Sequence, residues 1–310
     1  MRLRLGRPDL RAYADRFSVP AADDGLAVTF LGVSTLLLDD GDSAVLLDGF
    51  FSRPSLAKVA LGKIAPDLGR IDDALGRLGF GPGARSLDAV APVHSHFDHA
   101  LDSAVVAERA GGSLVGGEST ANIGRGAGLA PGRVHVVTPG EPASFGSFTL
   151  THHVSEHCPP DRFPGPITTP VVPPVRAREY RCGEAWSIFV THTSGRSALV
   201  QGSAGFVPGA LEGQHADVAY LGVGQLGVQP EQHIVDYWTH TARAVGARHV
   251  VLTHWDDFFR PLDQPLRALP YAGDDLDVTM SVLGPLAQAD DVALSMPTVW
   301  RRENPWAASS

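Results

Sequence analysis

Val93-His94-Ser95-His96-Phe97-Asp98-His99-Ala100 carries three imidazoles and a carboxylate within six consecutive positions, a density that ordinary packing does not require. The residues before it, Leu87-Asp88-Ala89-Val90-Ala91-Pro92-Val93, form a short apolar run suited to a buried strand. After it, Leu101, Ala104 and Val105 open a helical apolar face that stops at Gly111-Gly112. The run therefore sits on a strand-to-helix turn. Side chains alternate along a strand, so His94 and His96 project to one side and can reach one cation, while Asp98 and His99 are carried round to face a second. Neutral imidazole nitrogen and carboxylate oxygen suit zinc first, with iron or manganese also accommodated.

Further strands are expected upstream at 26–31, 33–39 and 43–48, the last ending in Asp48-Gly49, and late in the chain at 248–253, which runs into His254-Trp255. With these flanks, His-x-His-x-Asp-His resembles the hallmark of the metallo-β-lactamase-fold hydrolase superfamily, over roughly residues 26–300. The nearest likeness is to the branch containing the L-ascorbate-6-phosphate lactonases and the N-acyl phosphatidylethanolamine phospholipase D enzymes, carried by Gly202-Ser203-Ala204-Gly205-Phe206 and His254-Trp255. The resemblance implies an α/β fold, a four-layer αββα sandwich with a dinuclear metal site at one edge. It assigns His94, His96 and a third histidine to the first metal, and Asp98, His99 and His254 to the second. Thr151 to Cys158 offers three candidates for the third histidine. His157 fits the branch's Val-Pro-Ser-x-His-like run through Val154-Ser155-Glu156-His157, and His153 is the alternative. Asp48 matches an aspartate that supports the ligand loop rather than binding metal. Ser203 stands where the branch has a bridging aspartate, and a neutral hydroxyl is a poor bridge. Asp256 and Asp257 are the carboxylates placed to substitute, and one tightly held ion beside a weak one is a further outcome.

At 310 residues with 44% hydrophobic content, the chain can bury a large core, and the length admits one large domain or two small ones equally; the resemblance implies a single domain over 26–300, with a lead-in at 1–25 and a tail at 301–310. A net charge of −9 argues against a nucleic-acid partner. The two cysteines, Cys158 and Cys182, are too few for a disulfide framework and point to a reducing cytoplasm, with Cys158 a minor candidate for a soft metal donor. No stretch of 18 apolar residues occurs, so no transmembrane segment is expected. Arg2, Arg4, Arg7, Arg11 and Arg16 read as a solvated lead-in, or else as a contact with an anionic membrane surface.

Two short helices are expected near 55–62 and 71–79, one at 101–110, and the clearest at 230–245, where His233 and His240 read as packing residues. A second strand series is expected near 113–116, 134–137, 145–152, 185–191, 197–202 and 217–222. Between Cys158 and Val175 lie seven prolines, too poor in backbone donors for an interior strand and too irregular for a helix. This loop, 158–182, is expected to cover the pocket, and Arg125, Arg176 and Arg178 are candidates to meet an anionic substrate.

The expected chemistry is hydrolysis of a lactone, another ester or a phosphodiester by a metal-bound hydroxide, and the resemblance implies that Asp98 orients it or relays its proton. Three further readings follow from the same residues: a weakly catalytic or non-catalytic metal-binding protein that lost its bridging aspartate, a phospholipase-like enzyme at a membrane, and, for assembly, a homo-oligomer. The substrate is expected to be a small molecule.

Overall fold

Strands β1 (Ala27–Phe30), β2 (Leu36–Asp39) and β3 (Ala44–Leu47) carry no polar alternation because both of their faces are covered. In the computed structural model, which describes residues 4–307, Leu36, Leu38, Val45 and Leu47 join a core shared with the opposite sheet. Leu37, Ala44 and Leu46 instead pack among helical side chains such as Ile71, Leu75, Ala104 and Ala107. The first sheet continues through β4 (Ala89–Ala91), β5 (Ser113–Gly116) and β6 (Val134–Val136), which run parallel to β3.

The second sheet contains β7 (Pro142–Phe145), β8 (Phe148–Ser155), β9 (Ala185–His192), β10 (Ser197–Gln201), β11 (Val218–Gly222), β12 (His249–Thr253) and β13 (Ala293–Ser295). It has seven strands, as does the first, whose outer strand is β14 (Arg302–Glu303) beside β1. Each sheet is antiparallel over its first strands and parallel over its last. Helices α1 (Leu56–Leu61), α2 (Leu68–Leu78), α3 (Phe97–Ala100), α4 (Ser103–Ala110) and α5 (Glu118–Gly126) belong to the first half, and α6 (Glu231–Trp238) and α7 (Leu276–Ala289) to the second. The expected four-layer αββα sandwich is the architecture found.

Several elements differ from their sequence reading. The segment at 145–152 is a hairpin of β7 and β8 turning at Gly146, and the helix at 101–110 is preceded by a separate turn, α3, that carries Asp98 and His99. The helix at 230–245 is α-helical only to Trp238 and continues as a π-helical turn over Thr239–Arg243. Helices α5 and α7 are unexpected, since one contains two glycines and the other contains Gly284-Pro285. Tertiary packing overrides those weak propensities: Leu276, Met280, Leu283 and Ala287 of α7 are buried in the same cluster as Ile234, Tyr237 and Trp238 of α6.

Arg2 lies outside the described residues. Arg4 is paired with Asp275 and Asp277, Arg7 with Asp257, and Arg11 with Asp9, while Arg16 reaches the carbonyl of Leu294. The lead-in arginines are thus largely committed to groups of the same chain rather than to a free basic face. Arg302 and Glu303, in the segment read as a tail, form β14. Among the described residues no helix is long and apolar enough to cross a membrane.

Candidate metal centre

The ends of four strands deliver the site. His94 to His99 follow β4, His157 follows β8, Ser203 follows β10 and His254 follows β12, so both sheets contribute at one edge of the sandwich. His94, His96 and His157 bring three ligand atoms within 4.8 Å of one another, and Asp98, His99 and His254 do the same. His94 Nε2 lies 3.1 Å from His96 Nδ1, close to the edge of about 3.3 Å that a tetrahedral zinc with ordinary Zn–N bonds spans. In the second group, Asp98 Oδ2 lies 3.7 Å from His99 Nε2 and 3.5 Å from His254 Nε2. The His94 and His99 rings, 4.0 Å apart between centroids, join the two groups.

The protonation pattern suits cations. Burial, followed by the neighbouring His99, His96 and His157, pushes His94 well below its usual imidazole range, leaving lone pairs free. Burial and His96 likewise bring His157 down to about 4. Burial alone would raise the Asp98 carboxyl, but His99 and His254 outweigh it and hold the group well below the usual carboxylate range. His254 is conversely raised: burial opposes its charge, and Asp98 overcomes that. The Nδ1 of His254 is buried without a hydrogen-bond partner. Two packed imidazoles with depressed basicity, His94 and His157, set beside an ionised carboxylate, fit metal binding better than a self-contained polar network.

Outer contacts orient the rings. His157 Nδ1 donates to the Cys158 carbonyl at 2.7 Å, which turns Nε2 to the cluster. His99 Nδ1 donates to Asp48 Oδ2 at 2.8 Å, while Asp48 Oδ1 accepts the Val93 amide at 2.9 Å. Asp48 therefore fixes the His99 ring and the strand end that leads to the motif. Replacing Asp48 with alanine should weaken metal binding about 10–100-fold. Competition with a chromophoric chelator would measure this, and unchanged affinity would count against the assignment.

Asp48, Val33, Arg53 and His254 all adopt left-handed φ of 40–61° although none is glycine. One network holds three of them. The His254 amide donates to the Val33 carbonyl at 2.6 Å, the Val33 amide donates to Asp256 Oδ1 at 2.7 Å, and Arg53 Nη2 pairs with Asp256 Oδ2 at 2.7 Å. Asp256 is thereby occupied, and Asp257 accepts from Arg7 and Arg267. Neither joins a donor group, although the sequence makes both candidates to replace the bridging carboxylate. Ser203 lines the cleft and its hydroxyl accepts the Cys158 amide at 2.9 Å, which holds the His157 segment in place. A Cβ on Gly205 would stand 2.2 Å from the Glu156 carbonyl oxygen, so only glycine lets this turn close on the same segment.

His153, the alternative ligand, packs against Phe189 and joins neither donor group. His233 and His240 lie on Phe206 as packing residues. Cys158 is a buried thiol pushed up to about 12 by burial and is not a donor. A third group, His96 with Asp161 and Cys182, escaped the sequence reading; both newcomers lie in the proline-rich loop, where proline masked any periodic signal. Arg125 pairs with Glu118.

His96, Asp98, His157 and His254 line a cleft of about 870 Å³. Its walls include Leu56, Val59, Phe258 and Phe259 on the apolar side and Arg162, Arg176 and Arg178 from the proline-rich loop. That loop is fastened, not loose: Ser95 donates to the Cys182 carbonyl, Cys182 to Phe163, and Val171 to Asn122. A Cβ on Gly126 of α5 would fall 1.8 Å from the Val171 carbonyl oxygen, so the loop lies directly on that helix.

Two facing seven-stranded sheets, flanking helices and a histidine–aspartate cluster at the strand ends define the metallo-β-lactamase fold, and this chain has that fold. Igni18, a metallo hydrolase from Ignicoccus hospitalis, is 13% identical, with 90% of this chain and 96% of that one covered and a TM-score of 0.51. A protein from Parabacteroides distasonis named as a metal-dependent hydrolase is 12% identical, with 91% and 99% covered and a TM-score of 0.54. CmlA, a diiron β-hydroxylase from Streptomyces venezuelae, is 13% identical, with 92% of this chain but 55% of CmlA covered and a TM-score of 0.55. Likeness at these identities is one of fold. No protein-family model and no curated protein matches the sequence.

Proposed function

We propose that this protein is a metal-dependent hydrolase that cleaves a lactone, another ester or a phosphodiester in a small molecule bearing an anionic group, with two zinc ions as the working metals. The observation that carries this reading is the pair of adjoining donor groups, four of whose six residues line one large cleft. His94, His96 and His157 would hold one ion, and Asp98, His99 and His254 the other. Bound there, the ions acidify water and polarise the oxygen that gains charge during hydrolysis. Asp98, ionised and the one carboxylate in these two groups, accepts a proton from the attacking water and returns it to the leaving oxygen. Arg162 and Arg176 line the cleft with no acidic partner among the described residues, in a chain of net charge −9, and that local excess of positive charge supports an anionic substrate. Two free buried thiols support a reducing compartment such as the cytoplasm.

The fold also serves oxidation, as CmlA illustrates, so the reaction class has to come from the site. Two histidines and one carboxylate at the second group also suit iron(II). Metal content of protein purified without chelator, followed by a panel of neutral and anionic lactones, aryl esters and phosphodiesters, tests the proposal. Close to two zinc equivalents are expected, with turnover of the anionic members that vanishes in His96→Ala and persists in His240→Ala. Metal-loaded protein that turns over no member of the panel would reject hydrolysis in favour of a binding role, and iron in place of zinc would redirect the search to oxidation.

A further inference from the structure

We infer that Asp161, on the proline-rich loop, is a positioning residue that fixes the ring of His96 for metal binding, so that the loop forming the cleft wall also tunes the affinity of the centre. The inference rests on the metal site proposed above. His96 turns Nδ1 toward His94 Nε2 at 3.1 Å, on the donor side, which leaves Nε2 on the far side of the ring. There it faces Asp161 Oδ1 at 3.2 Å, within ion-pair distance but outside hydrogen-bond alignment, and this buried nitrogen has no other partner. An imidazole that gives one nitrogen to a cation must carry its proton on the other, and a carboxylate receiving that proton selects the tautomer, sets the ring plane and strengthens the ligand.

Asp161 is itself held. Its Oδ1 accepts the Phe163 amide at 3.0 Å, the Phe163 carbonyl accepts the Cys182 amide at 2.8 Å, and the Cys182 carbonyl accepts the Ser95 amide at 2.8 Å. Ser95 lies between His94 and His96, so this chain of bonds closes on the motif it supports. His157 and His99 obtain their orienting acceptors from Cys158 and Asp48, and Asp161 is the carboxylate that faces the corresponding nitrogen of His96.

The test uses the full chain and zinc alone as the probe. Zinc dissociation constants are measured by chelator competition for wild type, Asp161→Ala and Asp161→Asn, and the tautomer of His96 is read from its imidazole nitrogen chemical shifts. Asp161→Ala should weaken the tighter zinc site about 10–100-fold and raise the fraction of His96 protonated on Nδ1 in the metal-free protein. Asp161→Asn keeps an acceptor oxygen and should recover part of both. Wild-type affinity and an unchanged His96 tautomer in Asp161→Ala would overturn the inference while leaving the metal site intact. Failure of the wild type to take up zinc would instead reject the site itself.

Discussion

Replacing Asp256 with alanine is expected to destabilise the protein by about 3–5 kcal/mol, because it strands Arg53 without its counter-charge. Both side chains of this pair are 0% exposed, so no water compensates the guanidinium that remains. The same carboxylate holds the amide of Val33, a β-branched residue kept at φ 54°. Releasing it frees the segment that also anchors His254 through its backbone. The urea midpoint of metal-free protein should fall with little change in slope, and the affinity for a second zinc should fall with it. Asp256→Leu combined with Arg53→Met should recover much of the stability, since it removes both charges together. A loss under about 1 kcal/mol in Asp256→Ala would show that the pair is not what holds these two loops together.

Asp98→Asn should lower kcat by about 10²–10⁴-fold while leaving the His94, His96 and His157 group able to hold one ion. The amide is nearly isosteric but can neither take up a proton nor supply negative charge to His99 and His254, whose Nε2 atoms lie 3.7 and 3.5 Å away. Metal content should drop from about two equivalents toward one as turnover is lost. A variant that retained kcat within tenfold would move the proton-handling role to another group.

The parts of this site legible in the sequence are those encoded locally. The His94 to His99 run works because strand alternation and a single turn bring its side chains together, and both are properties of a few consecutive residues. Asp48 and His254 were legible only through the likeness to known strands and turns. The Arg53–Asp256 pair joins residues far apart in the chain, and nothing near either one announces the other. Asp256 and Asp257 read as spare carboxylates beside His254, but Arg53 holds the first and Arg7 and Arg267 hold the second. Asp161 was hidden for another reason: its segment follows no period, so the sequence indicated a loop without indicating what that loop would touch. The same holds for α7, whose Gly284-Pro285 speaks against a helix until the apolar partners on α6 are known.

The pairing of Val28 with Glu303 has a consequence for how the protein is made. The outer strand of the first sheet comes from nearly the last residues described, so during synthesis β1 presents an open edge, the kind of surface that recruits other strands. Only when Arg302 and Glu303 emerge from the ribosome can that edge be covered and Glu303 sink to its 1% exposure. A chain that stops short of them would leave the ribosome with its histidine motif complete and its first sheet still adhesive, and quality control could recognise it by that edge alone.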